Sequence, residues 1–212
     1  MVPLNPEPTA DDCAVLVLAK APLPGLAKTR LIPALGADGA AALATRMLDH
    51  TLDEALAAGL GPVTLCAAPQ ASHPAFARLA QAGRIRIADQ GEGDLGARMH
   101  RAFERVLPRH AGALLVGTDA PALDAAVLRA AHAALTGHDA VLVPAHDGGY
   151  VLIGLRRLQP RLFEGLPWST PQVLVITRER LREAGLRWAE LPALHDIDEP
   201  ADLVHLAGRG WT

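Results

Sequence analysis

The chain has 212 residues, half of them hydrophobic but only 3% aromatic, with 20 basic and 23 acidic residues and a formal net charge of -3. That length fits one domain with a full core built from Leu, Val, Ile and Ala. The slight acidic balance argues against a nucleic-acid binder, which carries a basic excess.

The opening, rich in proline and acid, has neither a basic start nor an apolar h-region and reads as a flexible tail over residues 1–12 rather than a secretory signal. No apolar run approaches the roughly 18 residues of a membrane span, so no membrane insertion and a cytoplasmic location are expected. Strand-like and helix-like patterns then alternate. An apolar run at residues 13–19 reads as a buried strand, and residues 37–58 place Leu43, Met47, Leu48, Leu52 and Leu56 at helical spacing before Gly59 and Gly61-Pro62 stop the helix. A strand at 63–67, a helix at 72–82 and an alternating, one-side-exposed strand at 84–88 follow. Asp94 is placed to cap a helix running to about residue 107. Next come a strongly apolar strand at 113–117, a helix at 123–135, a strand at 140–143, a glycine turn at 147–149 and a strand at 150–154. A helix at 172–184, a strand at 186–191 and a short closing helix complete the pattern. Cys13 and Cys66 lie in apolar strands, where cysteine acts as a small buried hydrophobe, so neither a disulfide framework nor a zinc site is expected.

Strands separated by helical stretches of 10–20 residues predict an α/β fold, a three-layer αβα sandwich with a mostly parallel mixed sheet. The strand at 150–154 follows too closely on its predecessor for a helical crossover and is expected to run antiparallel near the site. With no repeat, low-complexity tract or internal linker, residues 13–212 are expected to form a single domain.

The chain contains only two lysines, Lys20 and Lys28, and both fall in the loop after the first strand, with Arg30 close by and Pro22, Pro24 and Gly25 shaping the backbone. A compact ammonium suits a phosphate held as a point charge, and open α/β sheets bind ligands beyond the carboxyl ends of their strands. The loop is therefore expected to grip phosphate through Lys20, Pro24, Gly25, Lys28 and Arg30. Asp119 ends the most apolar strand, before Pro121, and faces that crevice if the sheet is parallel. It suits a catalytic or metal-binding carboxylate, the alternative being an N-cap for the next helix. A divalent cation between phosphates and carboxylate reconciles the opposite charges, since magnesium takes one or two carboxylates and fills its shell with phosphate oxygens and water. Asp196 and Asp198 form a second acidic pair. Only one of them is expected to face the crevice, and Asp198 is taken as the metal ligand, although with Pro200 and Asp202 it also makes a good helix start. Gln90, Gly91, Gly93 and Gly96 offer more glycine than one turn needs, which suits a loop wrapping a nucleobase, or a capped helix entry. Asp147, Gly148, Gly149 and Tyr150, the only tyrosine, could let backbone amides approach a sugar or acceptor, or simply form a hairpin turn. His146 and His195 neighbour aspartates but are read as incidental.

The pattern G-x-x-x-x-G-K-[ST] is absent, because Ala27 precedes Lys28, and neither G-x-G-x-x-G nor G-x-S-x-G occurs in the expected context. The ordered segments A-K-A-P-L-P-G-L-A-K-T-R-L, Q-G-E-G-D-L-G-A-R-M, G-T-D-A-P-A-L, P-A-H-D-G-G-Y-V-L-I-G-L, W-S-T and D-I-D-E-P-A-D-L resemble the bacterial DUF2064 family of glycosyltransferase-A-like proteins, over about residues 14–206. K-T-R-L is also similar to the corresponding loop of phospholactate guanylyltransferases. The resemblance implies the nucleotide-diphospho-sugar transferase fold, a first loop that holds nucleotide phosphates, Asp119 on the metal, and Asp198 as a second ligand. Ala120 departs from the serine or cysteine expected in G-T-D-x-P, which bears on substrate detail more than on the metal.

Together these readings imply a transferase dependent on Mg2+ or Mn2+, with Lys28 and Asp119 as its catalytic pair. Its partners would be a nucleotide or nucleotide-sugar donor and a small-molecule acceptor. Glycosyl transfer from a nucleotide-diphospho-sugar is the first expectation. Nucleotidyl transfer with release of pyrophosphate is the alternative, and a non-catalytic nucleotide-binding domain the third reading.

Overall fold

A computed structural model of the chain describes residues 12–206 and 211, so the expected tail lies, except for Asp12, outside the described residues. The elements are β1 (Cys13–Lys20), α1 (Ile32–Ala58), β2 (Val63–Ala68), α2 (Ala77–Ala82), β3 (Arg86–Asp89), α3 (Leu95–Val106), β4 (Gly112–Val116), α4 (Ala125–Thr136), β5 (Ala140–Pro144), β6 (Tyr150–Leu155), α5 (Val173–Glu183) and β7 (Trp188–Glu190). A 3-10 helix, Pro200–Leu206, closes the described chain.

Seven strands form one sheet in the order β3-β2-β1-β4-β6-β5-β7. β1 pairs parallel with β2 and with β4, β2 with β3, and β5 with β7, whereas β6 runs antiparallel between β4 and β5. This is the expected mixed sheet, with the antiparallel strand where its short connection requires it. β1, β2, β4 and β5 are apolar along their lengths because they are covered on both faces. Val15 and Val17 join one core with Leu48 and Leu52 of α1 and Leu128 of α4. Ala14 and Leu16, pointing the other way, join a second core with Met99 and Phe103 of α3 and Leu174 of α5. Two helical layers thus sandwich the sheet. From β1 the chain moves outward through β2 and β3, then returns to place β4 on the other side of β1. The carboxyl ends of β1 and β4 therefore flank a topological switch point, where such sheets open a crevice.

Local chemistry moves several boundaries. α1 begins before residue 37 but is interrupted at Gly36 (φ 72°, ψ 167°), a conformation that favours glycine, so its regular part starts where the apolar spacing does. The helix expected at 72–82 opens as a 3-10 turn, Pro74–Phe76, with His73 Nδ1 accepting the amide of Ala75. β3 is an edge strand, which explains its polar alternation. α4 starts at Ala125 because Asp124 accepts the amide of Val127 at 2.9 Å.

Candidate active site

Asp119 follows the carboxyl end of β4, and Lys28 lies in the loop after β1. With Asp124 capping α4, the Asp119 carboxylate is free of the capping role and pairs with Lys28 at 2.5 Å. Lys28 also donates to Asp198 Oδ1 at 2.9 Å and to the carbonyl of Ile197 at 2.5 Å. The lysine side chain is only 8% exposed, against 48% for Asp119 and 43% for Asp198, so the ammonium is covered while both carboxylates face the opening. Asp198 is likewise free of helix capping: Asp202 Oδ2 accepts the amides of Asp198 and Glu199 at 3.0 and 2.7 Å.

Ile197 holds this group together. Its side chain is fully buried with Leu31, Leu43 and Met47 in a third apolar cluster, a burial of about 1.5–3 kcal/mol. Its amide donates to the Asp119 carbonyl at 2.8 Å. The segment around residue 197 is thereby bound both to the start of α1 and to the loop after β4. Because residues i and i+2 of an extended segment share a face, Asp196 and Asp198 both line the cleft while Ile197 points inward. The expectation that only one aspartate faces the crevice is corrected by this simple alternation. Partial burial first, then the nearby charges of Asp147, Asp198 and Asp119, push the Asp196 carboxyl up to about 6.

The cleft above the switch point has a volume of about 690 Å³. Its lining includes Lys20, Lys28 and Arg30 of the first strand and loop, Gln90, Gly93 and Arg98, and Asp147, Gly149 and Tyr150. Pro24, Gly25, Gly91, Gly96 and Gly148 are outside its lining. Arg30 reaches Glu199 at 3.7 Å, both side chains being exposed.

The glycine-rich stretch is held together by packing. Gln90 is buried, and its amide donates to the carbonyls of Ala19 and Cys66 at 3.0 and 2.8 Å, stitching the loop to the ends of β1 and β2. Arg98, Arg101 and Arg105 of α3 reach back to the carbonyls of Gly93, Gln90 and Glu92, and Asp89. A Cβ at Gly91 would come within 2.6 Å of the Arg101 guanidinium, and one at Gly96 within 2.0 Å of the Phe163 carbonyl. Gly148 has φ 92°, and a Cβ there would meet the backbone of Pro171 at 2.4–2.8 Å. What approaches these glycines closely is the protein itself. The Tyr150 hydroxyl also turns inward, toward Met99 Sδ at 3.9 Å, and burial pushes its pKa up.

Two contributors carry no assigned role in the sequence reading. Arg98 is one, its i+4 spacing from the Asp94 cap being the available signal. The other is the Trp168–Ser169–Thr170 wall, where Trp168 Nε1 is buried without a partner among the described residues. His146 and His195 stack on each other, with His205 beyond, and neither lines the cleft.

The family model described as "Uncharacterized protein conserved in bacteria (DUF2064)" matches residues 51–170. The chain belongs to the DUF2064 family. A crystal structure from Desulfovibrio desulfuricans, described as a candidate nucleotide-diphospho-sugar transferase, is 30% identical with a TM-score of 0.85, over 95% of this chain and 88% of that one. Rv0371c of Mycobacterium tuberculosis, solved in complex with manganese, is 20% identical with a TM-score of 0.57, over 92% and 97% of the two chains. CMP:2-keto-3-deoxy-manno-octonic acid synthetase, complexed with CTP, is 15% identical with a TM-score of 0.56, over 92% and 96%. A comparison with functionally curated proteins found no match. The fold of this DUF2064 chain is that of the nucleotide-diphospho-sugar transferases, shared with nucleotidyltransferases. No helix among its described residues is long and apolar enough to cross a membrane.

A divalent cation fits the donor set in part. Among the described residues, no cluster of three or more His, Cys, Asp or Glu side chains is arranged to hold a metal. Asp119 and Asp198 each direct one oxygen to Lys28 and are about half exposed, which suits an ion taking two carboxylates and completing its shell from phosphate and water.

Proposed function

We propose that this protein is a metal-dependent transferase acting on an activated nucleotide, and that it transfers a glycosyl group from a nucleotide-diphospho-sugar. The observation that carries this reading is the meeting of Lys28, Asp119 and Asp198 at the mouth of the switch-point cleft. The similarity to the Desulfovibrio protein supports the sugar-nucleotide class. With Lys28 turned toward carboxylates, Lys20 and Arg30 are the cations of the first loop that face an incoming ligand, a charge that suits a diphosphate. Asp119 and Asp198 would hold Mg2+ or Mn2+, which when bound neutralises charge on the departing diphosphate.

In this reading Lys20 and Arg30 orient the phosphates, and Gly93, Leu95 and Arg98 form the wall against the base. Asp147, Gly149 and Tyr150 flank the sugar and acceptor. The acceptor oxygen bonds to the anomeric carbon as the bond to the diphosphate oxygen breaks. The nucleoside diphosphate leaves, and the acceptor proton passes to a carboxylate or solvent at the open rim.

The test is incubation with UDP- and GDP-sugars, and separately with GTP and CTP, plus magnesium and a panel of hydroxyl and phosphate acceptors. Release of nucleoside diphosphate that depends on acceptor supports glycosyl transfer. Release of pyrophosphate from a triphosphate replaces it with nucleotidyl transfer, a reading that the fold shared with the CTP-bound synthetase also supports. Release of neither product, with no metal-dependent nucleotide binding, overturns both.

A further inference from the structure

An ammonium group has three N–H donors. At Lys28 two of them go to Asp198 Oδ1 at 2.9 Å and to the Ile197 carbonyl at 2.5 Å, and the ammonium is ion-paired with Asp119 Oδ1 at 2.5 Å. Protein carboxylates and a carbonyl thus occupy the place a phosphate would take beside it. The position is built rather than casual. Lys28 adopts a left-handed backbone conformation (φ 47°, ψ 46°) that costs a residue with a Cβ about 1–2 kcal/mol, and its carbonyl accepts the amide of Leu31 at 2.8 Å. The partners are fixed as firmly, since the Ile197 amide is bonded to the Asp119 carbonyl and the Ile197 side chain is buried.

A cation that used either Oδ1 atom would have to share it with this ammonium. We propose that Lys28 is a tethered counter-ion: in the metal-free protein it bridges Asp119 and Asp198 in place of a divalent cation, and it yields that place only when a nucleotide polyphosphate takes over the ammonium. Metal and nucleotide then bind with positive cooperativity, each raising the affinity of the other by the same factor. The inference rests on the reading of Asp119 and Asp198 as metal ligands and adds the order in which the site fills. Lys28 acts on the metal through the carboxylates, as a positioning residue, until a phosphate reaches it.

The experiment is Mn2+ binding to the full chain without nucleotide, followed by the electron paramagnetic resonance of free Mn2+. The K28Q protein is expected to bind Mn2+ at least ~5-fold more tightly than wild type, the low end of common coupling factors. K28R, which keeps the charge, should stay near wild type. Unchanged or weaker binding by K28Q overturns the proposal, because lysine and metal would then coexist or cooperate. Introducing Asp119→Asn into both backgrounds separates the two layers. If it leaves Mn2+ affinity intact, the ligand assignment fails, whereas loss of Mn2+ binding in both backgrounds with no gain from K28Q sinks only the role of Lys28.

A measurement on wild type covers the case in which K28Q does not fold. With only two lysines in the chain, lysine labelled with 15N at Nζ yields at most two ammonium resonances, and the engaged Lys28 should be the one protected from exchange. Saturating Mg2+ with CTP or GDP should shift or abolish that resonance. A Lys28 signal unmoved by a ligand shown to bind would contradict the hand-over.

Discussion

Two loops border the cleft, and both stand out in the sequence for polar or glycine-rich composition, yet they do different work. At the rim formed by Lys28, Asp119 and Asp198, charged groups from distant parts of the chain converge and two carboxylates remain about half exposed. In the stretch from Gln90 to Gly96, the amide of Gln90 is occupied by main-chain carbonyls, and Gly91 and Gly96 make room for Arg101 and Phe163. The first arrangement has chemistry to offer a ligand. In the second, Gln90, Gly91 and Gly96 are committed to packing α3 against the sheet, and Gly93 and Leu95 are left to line the cleft. A conspicuous residue marks a binding group only when its hydrogen bonds and its space are not already taken by the protein.

Substitutions on the two sides should have separable effects. The largest effect is expected at the rim: Asp119→Asn should lower transferase turnover by on the order of 10²–10³, the range for losing one electrostatic stabiliser, with the folded structure retained by circular dichroism. On the packing side, Gly96→Ala must displace the Phe163 carbonyl, which a Cβ would approach to 2.0 Å, and should destabilise the protein by about 2–3 kcal/mol in a denaturant titration. Its folded fraction should still bind nucleotide normally. Unaltered stability with lost binding would instead make Gly96 itself part of the nucleobase subsite. Gln90→Leu leaves the carbonyls of Ala19 and Cys66 without their donor and should cost about 1–3 kcal/mol by the same titration.

The smallest effect concerns the sheet beneath both loops. Burial pushes the thiols of Cys13 and Cys66 up to about 12 and about 11, from an ordinary 9.0. The folded protein therefore keeps protons that the unfolded chain releases. This contribution is intact below about pH 9 and is lost as pH rises from there through about 11 for Cys66 and about 12 for Cys13. Comparing the denaturation midpoint at pH 8 and pH 10 should show a decline that Cys66→Ala partly flattens. An equal decline in that variant would assign the alkaline loss to other groups.

Much of the framework was legible because burial on two faces forces continuous apolar strands and because a short β5–β6 connection excludes a crossover helix. Asp119 was legible as the residue at the end of β4. That it is not a cap became clear only with Asp124 seen bonded to Val127, since a lone Asp before a helix cannot reveal which carboxylate does the capping. The pairing of Asp196 and Asp198 on one face was available from strand alternation alone. Lys28 could be recognised as a functional cation, but its partners lie roughly 90 and 170 residues away along the chain, brought within reach by the pairing of β4 with β1 and by the buried Ile197. The glycines at 91, 96 and 148 carried the weakest signal, because a glycine records that something comes close without recording what.

In the proposed reading one rim, built from Lys28, Asp119 and Asp198, binds metal and nucleotide together. Calorimetric titration of a nucleoside diphosphate into the protein, with and without Mn2+, for wild type and for Asp119→Asn, tests it most directly. Wild type should bind markedly more tightly with Mn2+, and Asp119→Asn should lose that gain while keeping the weaker metal-free binding. Equal Mn2+-dependent gains in the two proteins would contradict the account.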